Sequence, residues 1–257
     1  MNCETSSKDP KNKLILALDV PTPEEATRLM KELRDEVGAF KIGLQLFTAA
    51  GASFVRAAVN SGVRIFLDVK FHDIPNTVAK ASVEAAKLGV WMFNIHISGG
   101  SKMLEAAVRE VRGYCEDTAC ASPLIIGVTV LTSSGQETLE ETGISEKLEN
   151  RVVHLSEIAA KCGLDGVVAS PRETPLIKRA VTRRGFMIIT PGIRPENATI
   201  EDQKRVMTPM EAIRQGSDYL VVGRPILMAK DKIAAVRDIV SQIERADSPD
   251  SEQSFQR

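Results

Sequence analysis

Apolar and polar positions along the 257-residue chain alternate between two rhythms. Short runs dense in Val, Ile, Leu and Phe are each followed by a longer stretch in which apolar residues recur every three or four positions. These are the spacings of a buried strand and of a helix that covers it. The runs fall at 14–19, 40–43, 64–70, 91–96, 124–131, 166–170, 187–193 and 219–222. The helical stretches fall at about 24–37, 46–61, 75–88, 101–113, 145–162, 173–183, 208–215 and 230–245. Punctuation agrees with that division. Thr22-Pro23 precedes Glu24-Glu25, and Ser170-Pro171 precedes Glu173, so a hydroxyl is placed to satisfy free N–H groups and a Pro to start the first turn. Gly38, Gly62, Gly89, Gly163 and Gly216 stand at or just past helix ends, where a left-handed residue is most easily accommodated.

Eight such units over about 233 residues average roughly 29 each, the size of a (β/α)₈ TIM barrel with little decoration. The pattern predicts one α/β domain over 13–246. The polar segments 1–12 and 247–257 are too poor in apolar residues to bury much surface and are expected to be disordered tails. An open, doubly wound parallel sheet shares the alternation, but it concentrates its chemistry at one switch point, whereas a barrel gathers it at the end of every strand. Here Asp19, Lys41, Asp68, Lys70, His96, Thr132, Arg194 and Arg224 terminate one strand after another. That ring of polar ends favours closure.

Composition narrows the partners. Thirty-three Lys and Arg against 34 Asp and Glu give a net charge of −1, which provides no field to draw nucleic acid or an anionic membrane. No apolar run approaches the ~18 residues that span a bilayer, and the start of the chain lacks the apolar core of a signal peptide. Four cysteines at irregular spacing, without a C-x-x-C pair, fit a reducing compartment, so a cytoplasmic location is expected. No H-E-x-x-H, P-loop or G-x-G-x-x-G motif supports a zinc, nucleoside-triphosphate or dinucleotide reading.

The densest chemistry closes the third strand, where the chain reads Asp68-Val69-Lys70-Phe71-His72-Asp73. Period-two alternation sets Asp68 and Lys70 on one face, pointing into the barrel mouth, with Asp73 within reach just beyond. Two carboxylates around one ammonium keep that lysine protonated, which suits an acid and opposes a Schiff-base nucleophile. A salt-bridge network with a purely structural role is the bland alternative. Lys41, inside an apolar strand, is costly to bury unless paired, and Asp19 or Asp68 would pair it; a snorkelling lysine is the other reading. The last two strands run into Pro191-Gly192-Ile193-Arg194 and Val222-Gly223-Arg224, the Gly and Arg arrangement with which barrels bind phosphate after strands seven and eight. His96 either lines the site or is a satisfied structural histidine. His72, His154 and the cysteines receive no role.

These segments together, and D-x-K-x-x-D-I-P-x-T from Asp68 to Thr77 above all, resemble the orotidine 5′-phosphate decarboxylase family from residue 14 to about 245. The likeness is to the shorter, single-function bacterial type, without a fused phosphoribosyltransferase domain. The resemblance implies that Asp19 and Lys41 hold the ribose hydroxyls, that Asp68 lies beside the substrate carboxylate, and that Lys70 protonates C6 as carbon dioxide leaves. It further implies that Asp73, Ile74 and Thr77 enter from the partner subunit of a homodimer whose active sites are shared across the interface. Thr132 would touch the pyrimidine, Gln203 would span base and phosphate, and Arg194, Gly223 and Arg224 would bind the phosphate.

The implied reaction, orotidine 5′-phosphate to uridine 5′-phosphate and carbon dioxide, is expected to need neither cofactor nor metal, with fixed charge stabilising the C6 carbanion. Phosphate binding is expected to order the loop around 194–207 over the substrate. A Mg²⁺-dependent sugar-phosphate decarboxylase or aldolase of the same barrel group is the nearest rival. A nucleotide-binding regulator that has lost catalysis is a rival from another class.

Overall fold

The computed structural model describes residues 9–194 and 207–248. Eight parallel strands pair in chain order: β1 (Leu14–Ala17), β2 (Ala39–Gly43), β3 (Ile65–Phe71), β4 (Met92–His96), β5 (Leu124–Val128), β6 (Gly166–Val168), β7 (Met187–Thr190) and β8 (Tyr219–Val222). The ring closes where Leu14, Ile15 and Leu16 meet Leu220, Val221 and Val222. A closed barrel excludes the open sheet. The covering helices are α1 (Pro23–Leu33), α2 (Leu44–Asn60), α3 (Pro75–Lys87), α4 (Ser101–Thr118), α5 (Gln136–Glu141), α6 (Leu148–Lys161), α7 (Thr174–Ala180), α8 (Pro209–Arg214), α9 (Arg224–Leu227) and α10 (Lys232–Asp247).

Strand alternation divides the core in two. Ile15, Ala17, Phe66, Met92 and Ile126 fill the barrel interior, while Leu14, Leu16, Phe40, Leu67 and Phe93 pack between sheet and helices. Phe40, Phe66 and Phe93 are fully buried, each contributing about 1.5–3 kcal/mol of apolar transfer. The polar residues within β2 and β3 and those just after β1, β7 and β8 therefore converge on one end of the barrel.

Several local expectations shift. The runs 124–131 and 187–193 leave the ladder early, at Val128 and Thr190, and their last residues become walls of the mouth. The stretch 145–162 starts at Leu148, and the short α5 precedes it with a single buried residue, Leu139, too little to register as a periodic face. Thr22 does cap α1, accepting from the Glu25 N–H at 3.2 Å. Ser170-Pro171 forms the turn before α7 instead of its first turn, closed by Glu173 Oε2 accepting from the Ser170 N–H at 2.9 Å. Gly62, Gly89, Gly163 and Gly216 take positive φ, whereas Gly38 is required by space, since a Cβ there would lie 2.5 Å from the Asn12 carbonyl oxygen.

Residues 9–12, grouped by composition with a tail, are folded. Pro10–Lys13 form a 3₁₀ turn, Arg64 Nη2 donates to Asn12 Oδ1 at 2.8 Å, and Lys13 pairs with Asp247 at 2.7 Å. Asp247 likewise ends α10 instead of opening a tail. Hydrogen bonds and charge hold these segments, a signal that apolar content does not carry.

Candidate active site

Asp19, Lys41, Asp68 and Lys70 form an alternating chain of charge across the first three strand ends. Lys41 Nζ stands 3.2 Å from Asp19 Oδ1 and 3.3 Å from Asp68 Oδ2, and Lys70 Nζ stands 2.6 Å from Asp68 Oδ1. Lys41 is buried, at 8% exposure, so the snorkelling reading is set aside. Both of its partners are needed to offset the desolvation of its ammonium. Burial opposes the charge on Asp68, but Lys41, then Lys70, and hydrogen bonds from Lys70 and Asn94 outweigh it and hold the carboxyl below the usual carboxylate range. Asp68 is therefore an anion at neutral pH, gripped from both sides. Gly43 keeps this arrangement open, because a Cβ there would come within 3.0 Å of Lys41 Nζ.

The third strand is not regular where it carries the lysine. Phe66 and Leu67 pair with Met92 and Phe93, but the next pairing is Phe71 with Ile95, so Asp68, Val69 and Lys70 together stand opposite Asn94. Lys70 takes φ 52°, in the left-handed region, at a cost of roughly 1–2 kcal/mol for a residue with a side chain. Strict alternation placed Asp68 and Lys70 together, and they are together, but through a bulge that the pattern did not anticipate.

Asn94 is the residue that the strand-end criterion missed. It is buried inside the barrel, accepts from the Lys70 backbone N–H at 2.8 Å, and donates through Nδ2 to Asp68 Oδ1 at 2.7 Å. Its signal was present in Met92-Phe93-Asn94-Ile95-His96, where Asn94 shares the inward face with Met92.

Across the mouth, Pro191, Gly192, Arg194, Gly223 and Arg224 line the same cavity of about 360 Å³ as the charged chain, together with Thr132 and Ser133. A Cβ on Gly223 would lie 3.3 Å from Asp19 Oδ2, so glycine lets the eighth strand end approach the first. Asp73, Ile74 and Thr77 are elsewhere. They are exposed on the rim and do not line the cavity, and Asp73 Oδ1 accepts from the Ile74 N–H at 2.6 Å. Asp73 makes no ion pair with Lys70 among the described residues, which corrects the expectation that it reaches the lysine within one chain; the backbone turns outward into α3 after Phe71. Gln203 and most of the loop around 194–207 lie outside the described residues.

His96 lies beside the exposed His72, with ring centroids 5.4 Å apart. Burial, then His72 and Lys70, pushes its imidazole below the ordinary histidine value, against a smaller opposing pull from Asp68. Among the described residues no group of three or more His, Cys, Asp or Glu is placed to hold a metal ion, and no helix is long and apolar enough to cross a membrane.

Comparison with known proteins gives one consistent answer. The sequence model of the family described as "Orotidine 5'-phosphate decarboxylase / HUMPS family" matches residues 12–239. A protein of Syntrophotalea carbinolica named orotidine 5′-phosphate decarboxylase is 51% identical over 236 residues, covering 92% of this chain and 96% of its own. One of the same name from Pelobacter propionicus is 49% identical over 233 residues, covering 91% and 95%. Among solved structures, orotidine 5′-phosphate decarboxylase from Lactobacillus acidophilus is similar at 33% identity and a TM-score of 0.79, covering 90% of this chain and 98% of that one.

Proposed function

The chain belongs to the orotidine 5′-phosphate decarboxylase / HUMPS family, and from that premise we propose that its barrel mouth converts orotidine 5′-phosphate to uridine 5′-phosphate and carbon dioxide, with Lys70 as the proton donor. The observation that carries the reading is the charge chain Asp19–Lys41–Asp68–Lys70 facing two Gly and Arg strand ends across one cavity.

The chemistry follows from that layout. When the C6–carboxylate bond breaks, its electron pair stays on C6 in an orbital that the pyrimidine ring does not delocalise. Stabilisation must then come from charge fixed before the reaction starts. The Lys70 ammonium supplies it, passes a proton to C6, and is left as an amine that solvent reprotonates. Asp68 is anionic and held between two lysines, so it can neither take the proton in place of C6 nor drift from the leaving carboxylate. Asp19 and Lys41 hold the ribose hydroxyls, Thr132 meets the base, and Arg194, Gly223 and Arg224 bind the phosphate.

Asp73, Ile74 and Thr77 sit exposed on the rim of their own barrel, which fits their delivery to a second copy of the chain. A homodimer in the cytoplasm is the assembly this reading calls for, with no nucleic acid and no membrane as partner. The reading needs no metal or other cofactor, because the counter-charge is part of the fold.

The test is the ultraviolet change as orotidine 5′-phosphate is consumed, with carbon dioxide trapped in parallel and EDTA present. Decarboxylation at an undiminished rate is expected. Failure to consume the substrate refutes the assignment, and loss of activity with EDTA refutes the metal-free mechanism.

A further inference from the structure

We propose that Asn94 is a positioning residue for Lys70, whose side-chain amide sets the backbone turn that brings the lysine ammonium down to Asp68. The inference rests on the reading of Lys70 as proton donor. In an unbroken β3–β4 register, Asp68 would pair with Asn94 and Lys70 with His96, two residues further toward the rim, or about 7 Å along the strand. The bulge instead keeps Lys70 opposite Asn94. That leaves the Lys70 N–H without its ladder acceptor, and Asn94 Oδ1 takes the place of the missing carbonyl.

The amide is suited to both of its neighbours at once. A backbone N–H only donates and an ionised carboxylate only accepts, so this position requires a neutral group carrying one acceptor and one donor. Asn94 meets both needs with bonds of 2.8 and 2.7 Å and is 1% exposed, so each bond is made away from competing water. Lys70 and Ala119 are the non-glycine residues with positive φ among those described, and only Lys70 sits at the site. A strained backbone persists where its surroundings over-determine it, and Asn94 is the side chain that does so here. It does not line the substrate cavity, so it acts through Lys70 and Asp68.

Steady-state decarboxylation by wild type, Asn94→Ala and Asn94→Asp, followed from about pH 5.5 to about pH 8.5, tests the role. Asn94→Ala removes both bonds and should lower kcat by about 100-fold while KM changes less than about three-fold. Asn94→Asp keeps the shape and the acceptor but sets a carboxyl against Asp68. Two carboxyls sharing a site retain a proton to higher pH, and the protonated form restores a donor toward Asp68. Its kcat should therefore recover as pH falls, on a limb that wild type lacks and that a purely structural role would not produce. The titratable and charged groups facing this position, Asp68, Lys70, Lys41, His96 and His72, are common to all three proteins, so the ratio of the profiles isolates position 94.

Should Asn94→Ala fail to fold, the near-isosteric Asn94→Asp carries the test alone. An Asn94→Ala kcat within about three-fold of wild type, or an Asn94→Asp to wild-type ratio that is flat with pH, overturns the role. Wild type in the same assay separates the two readings. If wild type does not turn over, the decarboxylase reading fails, whereas normal wild-type turnover beside an unaffected Asn94→Ala refutes the role of Asn94 alone.

Discussion

In the proposed mechanism single residues act through their departures from what their surroundings favour. Lys41 is a cation in a buried strand, Asp68 an anion in a largely buried one, and Lys70 an L-residue in a left-handed turn. The first two were legible in the sequence, because a charge interrupting a run of Val, Ile and Phe is costly unless paired. The turn at Lys70 was not, since bulges follow from the register of two strands and not from one pattern. Asn94 was passed over because a neutral amide inside a strand gives no charge signal. His96 offers a check on the electrostatics at this scale. Burial keeps its ring neutral in the folded state below the ordinary value of 6.5, while the unfolded ring takes up a proton there. Its contribution to stability is thus present above about pH 6.5 and is lost as pH falls toward the depressed folded value. His96→Gln should shrink the drop in urea-derived stability between about pH 7 and about pH 5.5, and an undiminished drop would contradict the shift.

Elements divide labour between the two ends of the barrel. At the end away from the site, Asp165, just before β6, accepts two bonds from Arg112 of α4 at 2.8 and 2.7 Å and a third from the Ile125 N–H of β5 at 2.8 Å. Asp218, before β8, accepts from Lys178 of α7 at 2.9 Å and from the Ile188 N–H of β7 at 2.7 Å. These clamps fix strand to helix where no chemistry is carried out. Asp165→Ala should cost about 2–3 kcal/mol in denaturant unfolding with kcat unchanged, and a large loss of kcat in the folded variant would show that the ends are not independent. Helices with capping residues and a broad apolar face were placed correctly to within a few residues. The departures fell at helix ends, with α1 stopping at Leu33 and α4 running on to Thr118, where strands leave the ladder to build the mouth, at 129–131 and 191–193, and at α5, whose two turns bury too little to show a period. Ladder hydrogen bonds, not hydrophobicity, decide where such strands stop.

For the whole molecule, eight strand-and-helix units together with the ring of polar strand ends foretold closure, and the barrel closes. The net charge of −1 proved uninformative about the site, which concentrates alternating charge within a few ångströms. Assembly is the property a single chain expresses least, and the exposed Asp73 argues it from the outside. If each site takes Lys70 from one chain and Asp73 from the other, Lys70→Ala and Asp73→Ala proteins are each nearly dead, yet a hybrid dimer holds one intact site. Dissociating and mixing equal amounts should restore about one quarter of wild-type activity, and no recovery despite confirmed exchange would place Asp73 outside the shared site. The central claim concerns the lysine itself. The most direct measurement is kcat for orotidine 5′-phosphate loss by purified, folded Lys70→Ala beside wild type: a fall of at least about 1,000-fold is the expected result, and a rate within about ten-fold of wild type would contradict the account.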